Sequence, residues 1–246
     1  MSRTRIGRRR ALALASLGAL IAACGGASPP PSPAAGAATQ DEDEIEAKTR
    51  NPPAAALEPS ESSFSIPNPL FIPPQTLVRR WRVNTVERDV SLDIGAWRLS
   101  VGGLVERPLV LSYADLPTLP RMEQVNDLHC VEGWGFYDIK WEGVHLSTLF
   151  ERARVRPEAT HVAFFTHPNV YSDSLTLEQA LRADTMLADR ANDAPLTPDH
   201  GYPLRLVVPA MYGYKSVKWL DRIELVRGRH IGYWERRGWR PDPWIG

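Results

Sequence analysis

Cys130 stands in the stretch Leu128-His129-Cys130-Val131-Glu132-Gly133-Trp134 and is the only cysteine beyond residue 24. A lone thiol can act as a nucleophile, as a soft metal ligand, or as a small buried hydrophobe. Nucleophilic use needs a general base and a group that orients it. His129, His145, His161, His167, His200 and His230 are available, but no local signature pairs any of them with Cys130. On a strand, neighbouring His129 would point the other way. A closed zinc site needs several Cys or His at short spacing, and neither C-x-x-C nor H-E-x-x-H occurs. A single thiolate suits a soft metal whose other ligands come from a cofactor. About seventy residues later, His200 to Trp219 reads H-G-Y-P-L-R-L-V-V-P-A-M-Y-G-Y-K-S-V-K-W. Arg205, Lys218 and nearby backbone N–H groups offer the positive charge and fixed donors that a phosphate requires. Taken alone, Arg205 also reads as a solvent-facing strand residue and Lys218 as a salt-bridging surface lysine.

Short elements must carry these stretches. Trp97-Arg98-Leu99-Ser100-Val101 alternates and meets Gly102-Gly103, and Pro108 to Leu111 follows, which predicts a hairpin. Ser112 to Leu116 predicts one helical turn stopped by Pro117. Arg121 to Cys130 predicts a strand that delivers the thiol at its C-terminal end, and Trp141-Glu142-Gly143-Val144 predicts a turn. Leu146, Leu149, Phe150 and Ala153 share a helix face within Leu146 to Val155, before Pro157. His161 to Thr166, Leu204 to Val208 and Trp219 to Val226 read as strands, and Ser174 to Leu187 as a capped short helix. Leu77 to Val86 has a short strand-like alternation, and the aromatic tail from Gly232 to Trp244 is expected to pack on the surface. Strands outnumber helices, so the expected class is α+β.

The hydrophobic fraction of 43% supports a core, and the net charge of zero hides an uneven layout. Residues 1–24 carry five arginines and no acids, whereas residues 25–75 carry seven acids and two bases. The rest balances at zero, which argues against nucleic-acid binding. Arg3, Arg5, Arg8, Arg9 and Arg10 precede an apolar run, Ala11 to Ala23, too short to span a bilayer. The arginines resemble a twin-arginine signal, and Ile21-Ala22-Ala23-Cys24 resembles a lipoprotein signal acylated at Cys24. Residues 25–63 read as a disordered Pro/Ala/Ser-rich tether with an acidic run from Asp41. Residues 64–246 read as the folded domain, opening with a Pro-interrupted arm, Phe64 to Ile72.

H-C-V-E-G-W, W-E-G-V-H-L-S-T-L-F and H-G-Y-P-L-R-L-V-V-P followed by Y-G-Y-K-S-V-K-W-L occur in this order. Together they resemble the oxidoreductase molybdopterin-binding domain of the sulfite oxidase superfamily, over roughly Trp97 to Leu225. The resemblance implies a sulfite-oxidase-type fold holding molybdenum–molybdopterin. It implies that Cys130 binds molybdenum and that Asn84, Thr166, His200, Arg205, Ser216, Val217 and Lys218 contact the cofactor. It further implies two-electron oxygen-atom transfer, the chemistry of the cofactor itself.

True sulfite oxidases carry V-R-N-H early in the domain, where this chain reads Val83-Asn84-Thr85-Val86, with no arginine after the valine. The chain is thereby more similar to exported bacterial methionine-sulfoxide reductase catalytic subunits, which implies reduction of S-oxides or N-oxides. Sulfite oxidation with a cytochrome acceptor, or a non-catalytic lipid-anchored binding module, are the alternatives. No C-x-x-C-H haem motif occurs. A separate redox partner is therefore expected, either a haem membrane subunit or cytochrome c. The expected location is periplasmic or cell-surface, tethered to a membrane by lipid at Cys24.

Overall fold

The computed structural model describes residues 74–87 and 90–245. The signal, the tether and the Phe64 to Ile72 arm lie outside them. The strands in chain order are β1 (Thr76–Leu77), β2 (Arg98–Gly103), β3 (Leu109–Ser112), β4 (Met122–Cys130), β5 (Trp134–His145), β6 (His161–Thr166), β7 (Ser172–Thr176), β8 (Met186–Ala191), β9 (Ala194–Pro195), β10 (Arg205–Val207) and β11 (Leu220–Val226). They form two mixed sheets. In one, β5 is the hub, paired with β4, β1 and β8, and β8 continues to β10 and β9. The other runs β3-β2-β11-β6-β7. With one two-turn helix, Leu146–Ala153, and short helical turns between strands, the class is α+β. Among the described residues no helix is long and apolar enough to cross a membrane.

Alternation explains how the hub sheet is buried on both faces. Successive strand side chains point to opposite sides. Leu187 and Leu206 therefore join the main core with Leu99, Phe164, Ile223 and Leu225 of the second sheet. Met186, Ala188 and Val207 face the other way and meet Ile139 and Trp141. The helix lays Leu146, Leu149, Phe150 and Ala153 on the main core. His145 Nδ1 caps its start by accepting from Ser147 N–H at 3.1 Å, and Arg154 ends it in the left-handed region at φ 54°.

The β2–β3 hairpin, the strand ending at Cys130, and the strands at His161, Leu204 and Trp219 form near their expected bounds. Four expectations differ. Trp141 to Val144 is not a turn but part of β5. Gly143 serves close approach there, since a Cβ would lie 1.9 Å from Leu187 O across the β5–β8 pair. Ser174 to Leu187 divides between β7, a four-residue helix capped by Thr176 rather than Ser174, and β8. Ser174 Oγ instead donates to His230 O at 2.7 Å. Pro117 sits inside a 3₁₀ turn, Tyr113–Thr118, instead of ending it, and Ser112 pairs with Asp115 at its start. Of the Leu77 to Val86 pattern only Leu77 pairs as strand, in β1 with Thr76 before it. The remainder leaves the sheet and crosses the site.

Gly143→Ala is expected to destabilise the fold by about 3 kcal/mol or more, because backbone on the neighbouring strand must move. Urea unfolding followed by circular dichroism measures it, with Gly102→Ala as the control at an open position.

Candidate active site

β4 and β5 form a hairpin in which Cys130 pairs with Trp134. The turn between them, Val131 to Gly133, closes on Gly133 at φ 86°, a conformation that favours glycine, and Gly133 N–H donates to Cys130 O at 3.1 Å. Cys130 therefore sits at the last strand position before a tight turn. Asn84, on the irregular segment after β1, brings Nδ2 to 3.5 Å from Cys130 Sγ and donates to Glu132 Oε2 at 2.7 Å. Trp134 Nε1 donates to the same oxygen at 2.7 Å, and that oxygen lies 3.7 Å from Sγ. Burial pushes the Cys130 thiol up to about 12, with the Glu132 carboxylate adding to the rise. Sγ has polar contacts with Asn84 and Glu132 and none with an imidazole, so the site lacks the base a cysteine hydrolase needs. Such a thiol ionises when a cation binds it, as metal coordination does.

The same cleft carries two cations. Arg205 opens β10 and is only 3% exposed. Its guanidinium donates to His200 O at 3.0 Å and Ser216 O at 3.3 Å, and lies over the rings of Trp141 and Trp81 at 5.2 and 5.7 Å. Lys218 Nζ donates to Asp199 O at 3.0 Å and sits 4.2 Å from the Trp219 ring. Among the described residues neither cation has a carboxylate within ion-pair distance. Their neighbours are carbonyls and indole faces, which leave a full positive charge for an outside anion. Burial lowers Lys218 to about 7 and Arg205 to about 9, and the Arg205 charge adds to the Lys218 shift. His200 is lowered to about 4 by burial and by both cations, so its imidazole is neutral at pH 7. Gly201, at φ 103°, allows the loop to press on both cations, since a Cβ there would lie 3.1 Å from Arg205 Cβ and Lys218 Cβ.

All eight residues expected to contact the cofactor, Asn84, Cys130, Thr166, His200, Arg205, Ser216, Val217 and Lys218, line one open cleft. They contribute differently. Ser216 Oγ accepts from Val208 N–H at 3.0 Å, leaving its own proton for the cleft. Thr166 Oγ1 is engaged with Tyr171 N–H and O at 3.0 and 3.1 Å. The Val217 side chain belongs to the core. Sequence reasoning did not single out Trp81, which stacks on His200 at 3.8 Å and on Phe136 at 5.7 Å. It also passed over Glu132, which carried a visible signal two positions after the cysteine, and the tail residue Trp239. Trp134 is 4% exposed but also lines the cleft.

The residues present fit a metal chelated by an anionic cofactor. One thiol and two cations without an ion-paired carboxylate line the same cleft, and among the described residues no cluster of three His, Cys, Asp or Glu offers a metal a full protein ligand set. Comparison with known proteins leads to the same class. Residues 85–234 match the oxidoreductase molybdopterin binding domain family, and the chain belongs to it. It is therefore a molybdopterin-binding oxidoreductase of the sulfite oxidase superfamily.

Among individual proteins, the chain is 42% identical over 154 residues to the uncharacterized oxidoreductase YuiH of Bacillus subtilis, covering 62% of this chain and 77% of that one. It is 32% identical over 155 residues to the protein-methionine-sulfoxide reductase catalytic subunit MsrP of Campylobacter jejuni, covering 56% of this chain and 52% of MsrP. The MsrP protein of Gluconobacter oxydans is 34% identical over 157 residues, covering 57% and 50%. The chain thus spans about half the length of these MsrP relatives. The crystal structure of the sulfane dehydrogenase SoxCD from Paracoccus pantotrophus superposes with a TM-score of 0.53 at 30% identity, over 57% of this chain and 40% of that one.

A bound dianion restores the Lys218 charge, so above about pH 7 binding must take up a proton. Sulfate, which does not titrate in this range, is expected to bind the cofactor-free protein up to tenfold more weakly per pH unit above 7. In Lys218→Met the affinity is lower and the slope disappears. Titration calorimetry from pH 6 to 9 measures both.

Proposed function

We propose that this chain is the catalytic part of an exported molybdenum–molybdopterin oxidoreductase that reduces S-oxides. The observation that carries the reading is the shared cleft. Cys130 lines it together with Arg205 and Lys218, neither of which has a carboxylate within ion-pair distance among the described residues.

When bound, the cofactor supplies two-electron oxygen-atom transfer. The protein's part is to hold and orient it. Cys130 provides the thiolate ligand. Arg205, Lys218 and the Ser216 hydroxyl hold the anionic end, with Trp81 fixing the planes of His200 and Arg205. Asn84 directs an amide N–H toward Sγ, a hydrogen bond that favours the ionised sulfur. Buried Trp141 and Trp134 wall off bulk water on the hub-sheet side.

Similarity to MsrP supports S-oxide reduction over N-oxide reduction. Sulfite oxidation is the second reading. It is disfavoured because the position after Val83 is the neutral Asn84; the cation it would have to use instead is Arg82, which lines the cleft but is exposed, with its guanidinium 5.8 Å from the Trp134 ring. A non-catalytic module is disfavoured by the gathering of the thiol and both cations in one cleft. Electrons come from a separate redox protein, a haem membrane subunit or a cytochrome. The basic run before Ala11 and Cys24 support export, with a lipid at Cys24 tethering the domain at the periplasmic or cell-surface side of a membrane.

Protein from a molybdenum-replete host is expected to carry stoichiometric molybdenum, and Cys130→Ser to lose most of it. Dithionite-reduced enzyme is expected to turn over methionine sulfoxide, while sulfite does not reduce cytochrome c. Substoichiometric molybdenum unchanged in Cys130→Ser removes the molybdenum reading. Sulfite-dependent cytochrome reduction without sulfoxide turnover replaces it with the second reading.

A further inference from the structure

Besides its cations, the cleft has an aromatic cluster that the expected cofactor contacts do not include. Tyr214, Trp234 and Trp239 line the same cleft as Cys130. Trp234 and Trp239 stack with ring centroids 4.2 Å apart and an interplanar angle of 18°, and Tyr214 meets Trp239 edge-on at 4.9 Å. The family match ends at Trp234, so Trp239 comes from a segment beyond it.

That segment is firmly held. Tyr214 Oη donates to Arg240 O at 2.7 Å, Tyr212 N–H to Pro243 O at 3.1 Å and Ile245 N–H to Ala210 O at 3.0 Å. Gln179 Nε2 donates to Asp242 Oδ1 at 2.7 Å. At the base of the segment Lys215, 1% exposed, pairs with Asp173 at 2.5 Å and lies 3.7 Å from Glu235. The wall is preformed and needs no ordering on binding. Trp239 nonetheless keeps part of its surface open to the cleft.

We propose that Trp239, backed by Trp234 and Tyr214, is a substrate-specificity wall that receives the apolar substituent of an S-oxide. The proposal rests on the S-oxide reading above and names the substrate class within it: sulfoxides bearing an aryl or long alkyl group, in preference to dimethyl sulfoxide or small oxyanions. Sulfur makes favourable contacts with aromatic rings about 5 Å away, and flat apolar groups stack on indole. A small oxyanion gains no counter-charge from this wall. Dimethyl sulfoxide offers only methyl groups to the wall, far less area for contact with the indole than an aryl group.

The test compares Trp239→Ala, Trp239→Leu and Trp239→Phe in molybdenum-loaded protein. For methyl p-tolyl sulfoxide, KM is expected to rise about tenfold in Trp239→Ala, with kcat changing less than about twofold. For dimethyl sulfoxide, KM is expected to stay within about twofold. Trp239→Phe recovers most of the loss, and Trp239→Leu, which keeps bulk without the ring, recovers little. Equal rises in KM for both sulfoxides, or no rise for either, overturn the proposal.

Direct binding separates this from failure of the S-oxide reading. Methyl p-tolyl sulfide, the thioether product, is titrated calorimetrically into wild-type and variant proteins of matched molybdenum content and melting temperature. Weaker binding in Trp239→Ala and Trp239→Leu but not in Trp239→Phe supports the wall even if no sulfoxide is turned over. Equal affinity across the series refutes it.

Discussion

The arrangement depends on two cations, buried Arg205 and half-buried Lys218, that have no carboxylate within ion-pair distance among the described residues. Arg205 is buried to 3% exposure, and it faces carbonyl oxygens and two indole rings rather than an acid. Burying a charge without compensation is expensive. The same molecule shows the ordinary remedy at Lys215, which is equally buried but sits between Asp173 and Glu235. One buried cation is neutralised to hold structure, and the other is left open at a cleft. The contrast is what supports proposing Arg205, with Lys218 beside it, as a receptor for an anion.

The remaining elements bring a thiol to that receptor. The hairpin of β4 and β5 fixes Cys130 within a turn's length of its own partner strand, so its placement is local. The cations come from β10 and from the loop before β11, and they depend on long-range pairing of β8 with β5 and of β11 with β6. Trp81 links the thiol to the cations, because it comes from the segment that also carries Asn84 to the thiol and stacks on His200.

Much of this was readable in the chain because it is carried by continuous patterns. β6 and β11 alternate or run apolar over their full length, and Cys130 ends a strand whose pattern points to it. The two long motifs around Cys130 and from His200 to Lys218 contain six of the eight proposed cofactor contacts, and Thr166 ends β6 between them. Other features follow from tertiary context. W-E-G-V has the composition of a turn, yet its glycine exists to let Leu187 O approach. Leu177 to Ala180 was extended to a longer helix because the apolar spacing of a buried strand, β8, continues it without a break. The parts played by Trp81 and Trp239 arise only when an irregular segment and the tail fold back over the site, and no local periodicity records that.

Cys130 and Arg205 are both carried by the hub sheet, while Ser216 and Lys218 sit on the loop leading into β11 of the other sheet. An occupant that touches all four acts as a rivet between the two layers. Loading the protein then adds cohesion that the bare polypeptide lacks, by an amount that grows with the logarithm of occupant concentration over its dissociation constant. Resistance to heat or to proteases becomes a gauge of how completely a preparation has been filled.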